Sequence, residues 1–171
     1  MKLGDFVDKE RILLEIKGKK KEEVIEELAS LFERTGVVKD KKRFVEKIKE
    51  REAIESTAIG DGIAIPHAKC EEVERLSIAI GRSKEGIDFN SLDGKPVYLI
   101  FMIAAPKEAK KEYLQVIAKI ARLLHTKNCR EKLLSASTVD DVLQVIDEFD
   151  RRVPKEVRVK TKDGRVIYKE G

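Results

Sequence analysis

The stretch of sequence that ends at His67 combines residue types that suit group-transfer chemistry. It reads GDGIAIPH over residues 60–67, with small side chains that allow a ligand to approach the backbone closely. Pro66 has no N–H to donate to a sheet and holds Ile65 in an extended conformation, so regular strand pairing is expected to stop there. The His67 ring is therefore expected to be presented at a strand end. A neutral imidazole nitrogen is a competent nucleophile near neutral pH, which makes His67 the candidate acceptor of a transferred group.

The elements before this stretch are predicted from apolar spacing. Residues 12–16 indicate a short apolar strand. Apolar positions at helical spacing from Glu22 onward predict a helix that Gly36 ends. A second helix is predicted from about Lys41, after Asp40 as N-cap, to the neighbourhood of residues 51–56. Its C-terminal end thus comes shortly before the glycine-containing stretch.

The elements after His67 are predicted in the same way. Residues 76–81 and 97–103 indicate strands, the second buried on both faces, with turns at Glu85-Gly86 and Asp93-Gly94 between them. A helix follows, and its expected inward stripe consists of Tyr113, Leu114, Ile117, Ala118, Ala121 and Leu124. A last helix is predicted from Thr138, whose spacing from Asp141 resembles a capping box.

Strands interspersed with helices, without a second block of composition, predict a single α/β domain. We expect a mixed β-sheet with helices on both faces, formed by residues 1–153. After Pro154 the composition shifts to VRVKTKDGRVIYK, two short alternating runs around Asp163-Gly164. This pattern predicts a C-terminal β-hairpin as an appendage over residues 154–171.

Composition excludes several classes of protein. Of the 171 residues 42% are hydrophobic, which favours a globular chain, and no run approaches the roughly 20 apolar residues of a membrane span. The N-terminus lacks the apolar region of a secretory signal, so a cytoplasmic protein is expected. Charged residues reach 40%, mostly Lys and Glu, while Asn and Gln are scarce; this pattern indicates a thermophilic source.

The charge balance does not indicate a nucleic-acid-binding surface. The net charge of +4 is the small difference between 36 basic and 32 acidic residues. Basic runs occur at residues 17–21 and 107–111, but no aromatic residues interleave with them as in a single-strand binder. We therefore interpret both runs as solvated loops and helix starts, and expect no nucleic-acid partner.

The sequence resembles a known family at its most informative stretch. Glu52 and, after six further residues, the run IGDGIAIPHA (residues 59–68) resemble the phosphohistidine motif of enzyme IIA components of the fructose–mannitol class, type 2. These components belong to the phosphoenolpyruvate-dependent sugar phosphotransferase system. Arg51 before Glu52, the run GIDF at residues 86–89 and the run LDGKPV at residues 92–97 agree with the same family. The resemblance covers roughly residues 5 to 150.

The resemblance implies a specific activity. The residue matching His67 is phosphorylated in that family by the histidine-containing phosphocarrier protein, and it passes the group to a cysteine of a IIB component during sugar uptake. Neither step uses a metal or a nucleotide cofactor, and the chain contains no P-loop or glycine-rich nucleotide motif. The resemblance also leaves a second role open. Members of the nitrogen-related branch are phosphorylated but regulate partner proteins by binding them.

The resemblance implies roles for further residues. The position of Arg51 supplies the active-site arginine of the family, and a guanidinium holds two phosphoryl oxygens at once. Asp61 either orients His67 or forms the turn before it. The family carries a second histidine at the start of the helix after the buried strand, and here that position is Tyr113. His125 is not expected to replace it, because twelve residues along a helix span about 18 Å.

A zinc site is the rival interpretation of the histidines. Two histidines and two cysteines form the inventory of a tetrahedral site: His67 with Cys70, and His125 with Cys129. Such a site requires both pairs to meet across the fold, and we expect His125 to lie far from the His67 loop. The two cysteines are expected to be reduced thiols.

Overall fold

The computed structural model describes residues 1–152, 156–160 and 166–170, the last two ranges by their backbone alone. Its central sheet contains five strands within residues 1–152: β1 (Val7–Leu13), β2 (Ile63–Ala64), β3 (His67–Lys69), β4 (Ser77–Ile87) and β5 (Val97–Ala105). The strand order is β1-β4-β5-β2, and β3 also pairs with β5. β4 and β5 are antiparallel, whereas β1 runs parallel to β4, and β2 and β3 run parallel to β5. The predicted mixed sheet is therefore confirmed.

Five helices cover the two faces of this sheet: α1 (Lys21–Arg34), α2 (Lys41–Ile54), α3 (Lys110–His125), α4 (Lys127–Ser135) and α5 (Val139–Arg152). One hydrophobic core lies under α1 and α2, and the other lies under α3, α4 and α5. Successive residues of β5 alternate between them, since Met102 belongs to the first core and Phe101 and Ile103 to the second. A strand that is buried on both faces has a continuous run of apolar residues in its sequence. The prediction that this strand is buried on both faces is confirmed by β5.

Two predicted helix starts are confirmed by their caps. The Asp40 carboxylate accepts a hydrogen bond from the Arg43 backbone N–H at 3.1 Å, before the first residue of α2. At α5, the Asp141 backbone N–H donates to Thr138 Oγ1 while the Asp141 carboxylate accepts from the Thr138 N–H, both at 3.1 Å. This reciprocal pair is the expected capping box.

Two sequence-based boundaries are wrong. The first strand is Val7–Leu13 and not residues 12–16, because it is an edge strand whose exposed residues 8–10 are charged and hide the strand pattern. The predicted turn at Glu85-Gly86 lies inside β4, where the pairing register with β5 shifts. Gly86 has φ +86°, and a Cβ there would approach Pro96 Cβ to 2.9 Å, so glycine serves a bulge rather than a turn.

Helix α3 is rotated relative to the predicted stripe. Leu114 is 66% exposed and Ala118 is also exposed. The residues buried in the core are Tyr113, Val116, Ile120, Leu123 and Leu124, and the predicted Ile117 and Ala121 also pack against it. Both sets fit a period of 3.6, so spacing alone did not select between them.

α4 begins directly after Thr126, whose hydroxyl donates to the Arg122 carbonyl at the end of α3. That break was not predicted.

The C-terminal segment contains two short strands, β6 (Glu156–Lys160) and β7 (Val166–Glu170), which pair antiparallel with each other. Residues 153–155 and 161–165 lie outside the described residues. The turn of the predicted hairpin and the domain boundary at residues 153/154 fall there and stay predictions. Among the described residues, no helix is long and apolar enough to cross a membrane.

Candidate active site

His67 is the first residue of β3, directly after the proline that interrupts pairing. β2 ends at Ala64, and pairing with β5 resumes at His67, which stands opposite Ile103. Pro66 contributes only its carbonyl, which accepts the Ile103 N–H at 3.0 Å. His67 is half-buried, while its neighbour Ala68 is buried in the core under α1 and α2. The strand thus fixes the backbone of His67 and leaves its ring accessible.

The ring of His67 has a defined tautomer. Its Nδ1 lies 2.7 Å from the backbone carbonyl oxygen of Ile65. A carbonyl only accepts, so Nδ1 carries the hydrogen and the neutral ring keeps its lone pair on Nε2. The nitrogen with the lone pair is the one that attacks an electrophile. The ring nitrogen of His67 with nucleophilic capacity is therefore Nε2.

Burial keeps His67 in the neutral state that this chemistry needs. Desolvation lowers the pKa of His67 below its ordinary value, and the Ile65 carbonyl partly opposes this effect. The positive charge of Arg51 lowers the pKa further, and the negative charge of Glu52 raises it slightly. Since the net shift is downward from 6.5, the neutral imidazole predominates at pH 7.

Arg51 lies in the last turn of α2, within electrostatic range of His67. Its Nη1 donates to the Glu55 carbonyl at 2.7 Å, at the end of the helix, where a cation also complements the helix dipole. That bond uses one of the five N–H donors of the guanidinium. The charge of Arg51 lowers the pKa of His67 and also acts on the Tyr113 phenol. The structure thus brings Arg51, His67 and Tyr113 together.

Tyr113 packs against His67 from the first turn of α3. The two ring centroids are 5.6 Å apart at an interplanar angle of 68°, an edge-to-face arrangement. Tyr113 is 7% exposed, and its burial raises the pKa of the phenol well above the usual value of 10. The phenol is therefore neutral at physiological pH and offers a hydrogen bond but no charge.

A buried network behind the site was not predicted from the sequence. Glu52 is 8% exposed, and its carboxylate lies 2.8 Å from Lys21 Nζ. The same carboxylate accepts hydrogen bonds from the backbone N–H of Thr57, at 3.2 Å, and from its hydroxyl. The Thr57 carbonyl in turn accepts the Ile65 N–H at 3.4 Å. Glu52 thus joins the end of α2 to the segment that holds His67. In the sequence, the position of Glu52 at the start of the motif was the feature that could have indicated this network.

Lys69 is a second residue that sequence reasoning missed. Its Nζ lies over one face of the Tyr113 ring, 5.5 Å from the ring centroid. Lys69 stands two positions after His67 in β3, so both side chains point to the same side of the sheet. Lys69 could have been found from the sequence, because the residue two positions after His67 in a strand lies on the same face as His67.

Asp61 lies away from His67. It adopts φ +58° in the turn before β2, where the Ile63 N–H bonds the Gly60 carbonyl at 3.3 Å. Its carboxylate is 3.3 Å from Nδ1 of His125, at the opposite end of α3 from Tyr113. The expectation that His125 lies far from the His67 loop is therefore wrong for the first residues of that loop. Asp61 forms the turn and contacts His125.

The residues of the rival zinc site do not assemble. Cys70 belongs to the core under α1 and α2, whereas Cys129 belongs to the core on the opposite face of the sheet. The Cys70 thiol donates to the Glu72 carboxylate at 2.6 Å, and burial raises the pKa of both thiols. No group of three or more potential metal ligands occurs in the part of the chain that the structure describes.

The chain is similar to known components of the sugar phosphotransferase system. A family model described as "Phosphoenolpyruvate-dependent sugar phosphotransferase system, EIIA 2" matches residues 5–149. The fructose-specific EIIA component of Haloferax volcanii is 41% identical over 81% of this chain and 92% of its own length. The fructose-specific EIIABC component of Bacillus subtilis is 40% identical over 88% of this chain, which spans only 24% of that larger protein.

Solved structures agree with this similarity. The nitrogen regulatory protein IIA-Ntr of Neisseria meningitidis superposes with a TM-score of 0.78 at 32% identity, over 84% of this chain and 97% of that one. Enzyme IIA of the mannitol system, in its complex with phosphorylated enzyme IIB from Escherichia coli, superposes with a TM-score of 0.71 at 26% identity, over 81% and 95% of the two chains. The chain belongs to the EIIA type 2 family of the phosphoenolpyruvate-dependent sugar phosphotransferase system.

Proposed function

We propose that this protein carries a phosphoryl group on Nε2 of His67. It receives the group from a histidine-containing phosphocarrier protein and passes it to the cysteine of a IIB component, for uptake of a sugar of the fructose–mannitol class. The observation that carries this proposal is the hydrogen bond from Nδ1 of His67 to the Ile65 carbonyl, at 2.7 Å. It leaves the lone pair on the ring nitrogen that faces away from the backbone.

The transfer needs no group beyond two imidazoles and a thiolate. The Nε2 lone pair attacks phosphorus, an N–P bond forms, and the N–P bond of the donor phosphohistidine breaks with its electron pair returning to the donor ring. The His67 ring then carries positive charge, which the Ile65 carbonyl stabilises through Nδ1–H. In the second step the thiolate attacks phosphorus, and the electron pair of the N–P bond returns to Nε2.

Positive charge near His67 makes both steps easier. A phosphoryl group carries about −1.5 to −2 charge, and Arg51 is the guanidinium whose charge reaches His67. A guanidinium binds two phosphoryl oxygens in parallel, which positions the group for in-line transfer. We assign Arg51 to this role, and Tyr113 to a neutral hydrogen bond in place of the family's second histidine.

A regulatory role is the second candidate. The similarity to IIA-Ntr of Neisseria meningitidis, at a TM-score of 0.78, favours it as a specific observation. In this alternative the phosphoryl group on His67 changes the binding of partner proteins instead of moving on to a IIB component. The fructose-specific relatives, at 40% and 41% identity, favour the transport role, and we adopt it as the first proposal.

The experiment follows phosphate through the protein. The purified chain is incubated with phosphoenolpyruvate, the general kinase of the system and its phosphocarrier protein, and the acid-labile mass increase of one phosphate is measured. His67→Ala is expected to abolish that increase, and a label that persists in this variant contradicts the proposal. Adding a fructose-type IIB component then separates the two roles, because only a transport protein loses its phosphate to IIB at a catalytic rate.

A further inference from the structure

Strand β3 places two residues with complementary chemistry side by side. His67 and Lys69 occupy alternate positions, while Ala68 between them is buried in the core under α1 and α2. His67 and Lys69 therefore face the α3 side of the sheet, and the same residue of α3 touches both. The ring of Tyr113 lies 5.6 Å from the His67 ring and 5.5 Å from Lys69 Nζ.

The ammonium group of Lys69 has a different kind of contact from the ammonium groups of Lys21 and Lys107. Lys21 pairs with Glu52 at 2.8 Å, and Lys107 pairs with Glu71 at 3.3 Å. Within residues 1–152, no carboxylate lies within ion-pair distance of Lys69, and its contact is the aromatic face of Tyr113. An ammonium that is held only by a ring keeps its three N–H donors for an incoming anion.

We propose that Lys69 binds the phosphoryl group on His67, as a second cation beside Arg51. This inference rests on the proposed function, and it adds a residue to the site. The ring of Tyr113 keeps the ammonium on the side of His67 until the anion arrives, and the flexible side chain then moves to the phosphoryl oxygens. Tyr113 supplies no positive charge to the site, and Lys69 of β3 supplies it instead.

This arrangement has a consequence for the chemistry. The Lys69 ammonium neutralises part of the phosphoryl charge during transfer. An exposed charge pair is screened by salt, and the contribution of Lys69 is therefore expected to shrink as ionic strength rises.

The test compares Lys69→Gln and Lys69→Arg with Lys107→Gln as the matched control, since Lys107 is an exposed cation in the segment between β5 and α3. The initial rate of phosphorylation by the phosphocarrier protein is measured at low and high salt. Lys69→Gln is expected to be slower by roughly fivefold to twentyfold at low salt, and less at high salt. Lys69→Arg is expected to stay within about threefold of the parent, because the charge remains.

A second readout separates binding of phosphate from a structural effect. The pH titration of the ³¹P resonance of phosphorylated His67 is recorded for the parent, Lys69→Gln and Lys107→Gln. A nearby cation disfavours protonation of the phosphoimidazole, so its pKa is expected to rise in Lys69→Gln and to stay unchanged in the control.

The outcomes distinguish this inference from the proposed function. If the parent accepts no phosphate from the phosphocarrier protein, the proposed function fails. If the parent is phosphorylated but Lys69→Gln matches Lys107→Gln in rate and in ³¹P titration, the inference about Lys69 is overturned while the proposed function stands. A Lys69→Arg variant as slow as Lys69→Gln also overturns it, because charge is then not what Lys69 contributes.

Discussion

Helix α3 has a histidine near each of its ends, and the surroundings of the two differ in charge. Near its N-terminal end, His67 is half-buried against Tyr113, bonds a backbone carbonyl and lies within the field of the Arg51 guanidinium. At its C-terminal end, His125 is exposed, and its Nδ1 lies 3.3 Å from the Asp61 carboxylate. An incoming phosphoryl dianion is attracted by a guanidinium and repelled by a carboxylate.

Under the proposed function, surroundings and not residue type select His67 as the nucleophile. Both imidazoles have an oxygen near Nδ1, but the neutral carbonyl of Ile65 adds no negative charge, whereas the Asp61 carboxylate does. Burial of His67 also excludes water from one side of the ring, which strengthens its interaction with nearby charges. The predictions below either remove one of these differences or show that a difference has no effect.

Removing the cation is expected to have the largest effect. Arg51→Ala should slow phosphorylation of His67 by roughly tenfold to a hundredfold, since a charge-assisted hydrogen bond contributes about 1.5–3 kcal/mol. Arg51→Lys should restore only part of the rate, because it keeps the charge and loses the two-pronged geometry. The measurement is the initial rate of transfer from the phosphocarrier protein. An Arg51→Ala variant with the full rate would show that Arg51 only stabilises the C-terminal end of α2, through its hydrogen bond to the Glu55 carbonyl.

The neighbouring ring is expected to matter less. If the Tyr113 hydroxyl donates one neutral hydrogen bond of about 0.5–1.5 kcal/mol, Tyr113→Phe should slow transfer by a few-fold. Tyr113→His should preserve or raise the rate and introduce a new pH dependence between about pH 5 and 8. Rates against pH for both variants check this. A phenylalanine variant that equals the parent, together with a histidine variant without a new titration, would leave Tyr113 a packing residue.

The pH dependence of the parent tests the neutral state of His67. Its pKa is lowered from 6.5, chiefly by burial, so the neutral nucleophile persists below that pH. At pH 6.5 the parent should therefore keep more than about half of its plateau rate, and the rate should fall only at more acidic pH. The check is the initial rate between pH 5 and 8 with saturating donor. A midpoint above 6.5 contradicts the assignment.

The opposite end of α3 and the C-terminal segment are expected to have no effect on transfer. His125→Ala and a truncation after Arg152 should each leave the rate of His67 phosphorylation within about twofold of the parent, since His125 contacts Asp61 and the residues after Arg152 lie beyond the family match over residues 5–149. Truncation is compared with the full chain by rate and by thermal unfolding. Loss of phosphorylation in a truncated chain that is still folded would be the contrary result.

Sequence reasoning recovered the layers of the fold and predicted three residues that the structure places near one another, while the reactivity of His67 stays a prediction. His67, Arg51 and Tyr113 were all predicted, and the mixed sheet with helices on both faces is confirmed. Residues whose role depends on tertiary contact were not recovered. Lys69 gains its position only because α3 crosses β3, and Glu52 only because Lys21 reaches it from another helix.

The rotation of α3 shows the physical limit of sequence patterns. Leu114 and Val116 are both apolar and both fit a helical stripe, yet Leu114 is 66% exposed and Val116 is fully buried. Which stripe faces the sheet is decided by packing against the neighbouring strand, and a single sequence does not contain that information. The same limit applies to Asp61, whose partner His125 lies 64 positions along the chain.

The buried contact between Glu52 and Lys21 has a consequence for how the site opens. It joins the first turn of α1 to the end of α2, and through Thr57 to the segment that carries Ile65. Local opening of that segment would remove the Thr57 N–H and hydroxyl from the buried Glu52 carboxylate, which is costly because a buried charge then loses two hydrogen bonds. The amides of Thr57 and Ile65 should therefore exchange with solvent hydrogen as slowly as those of α1, in one cooperative unit, and amide exchange rates measure this. A carrier that passes between two partners would thus keep a rigid nucleophile throughout each exchange of partner.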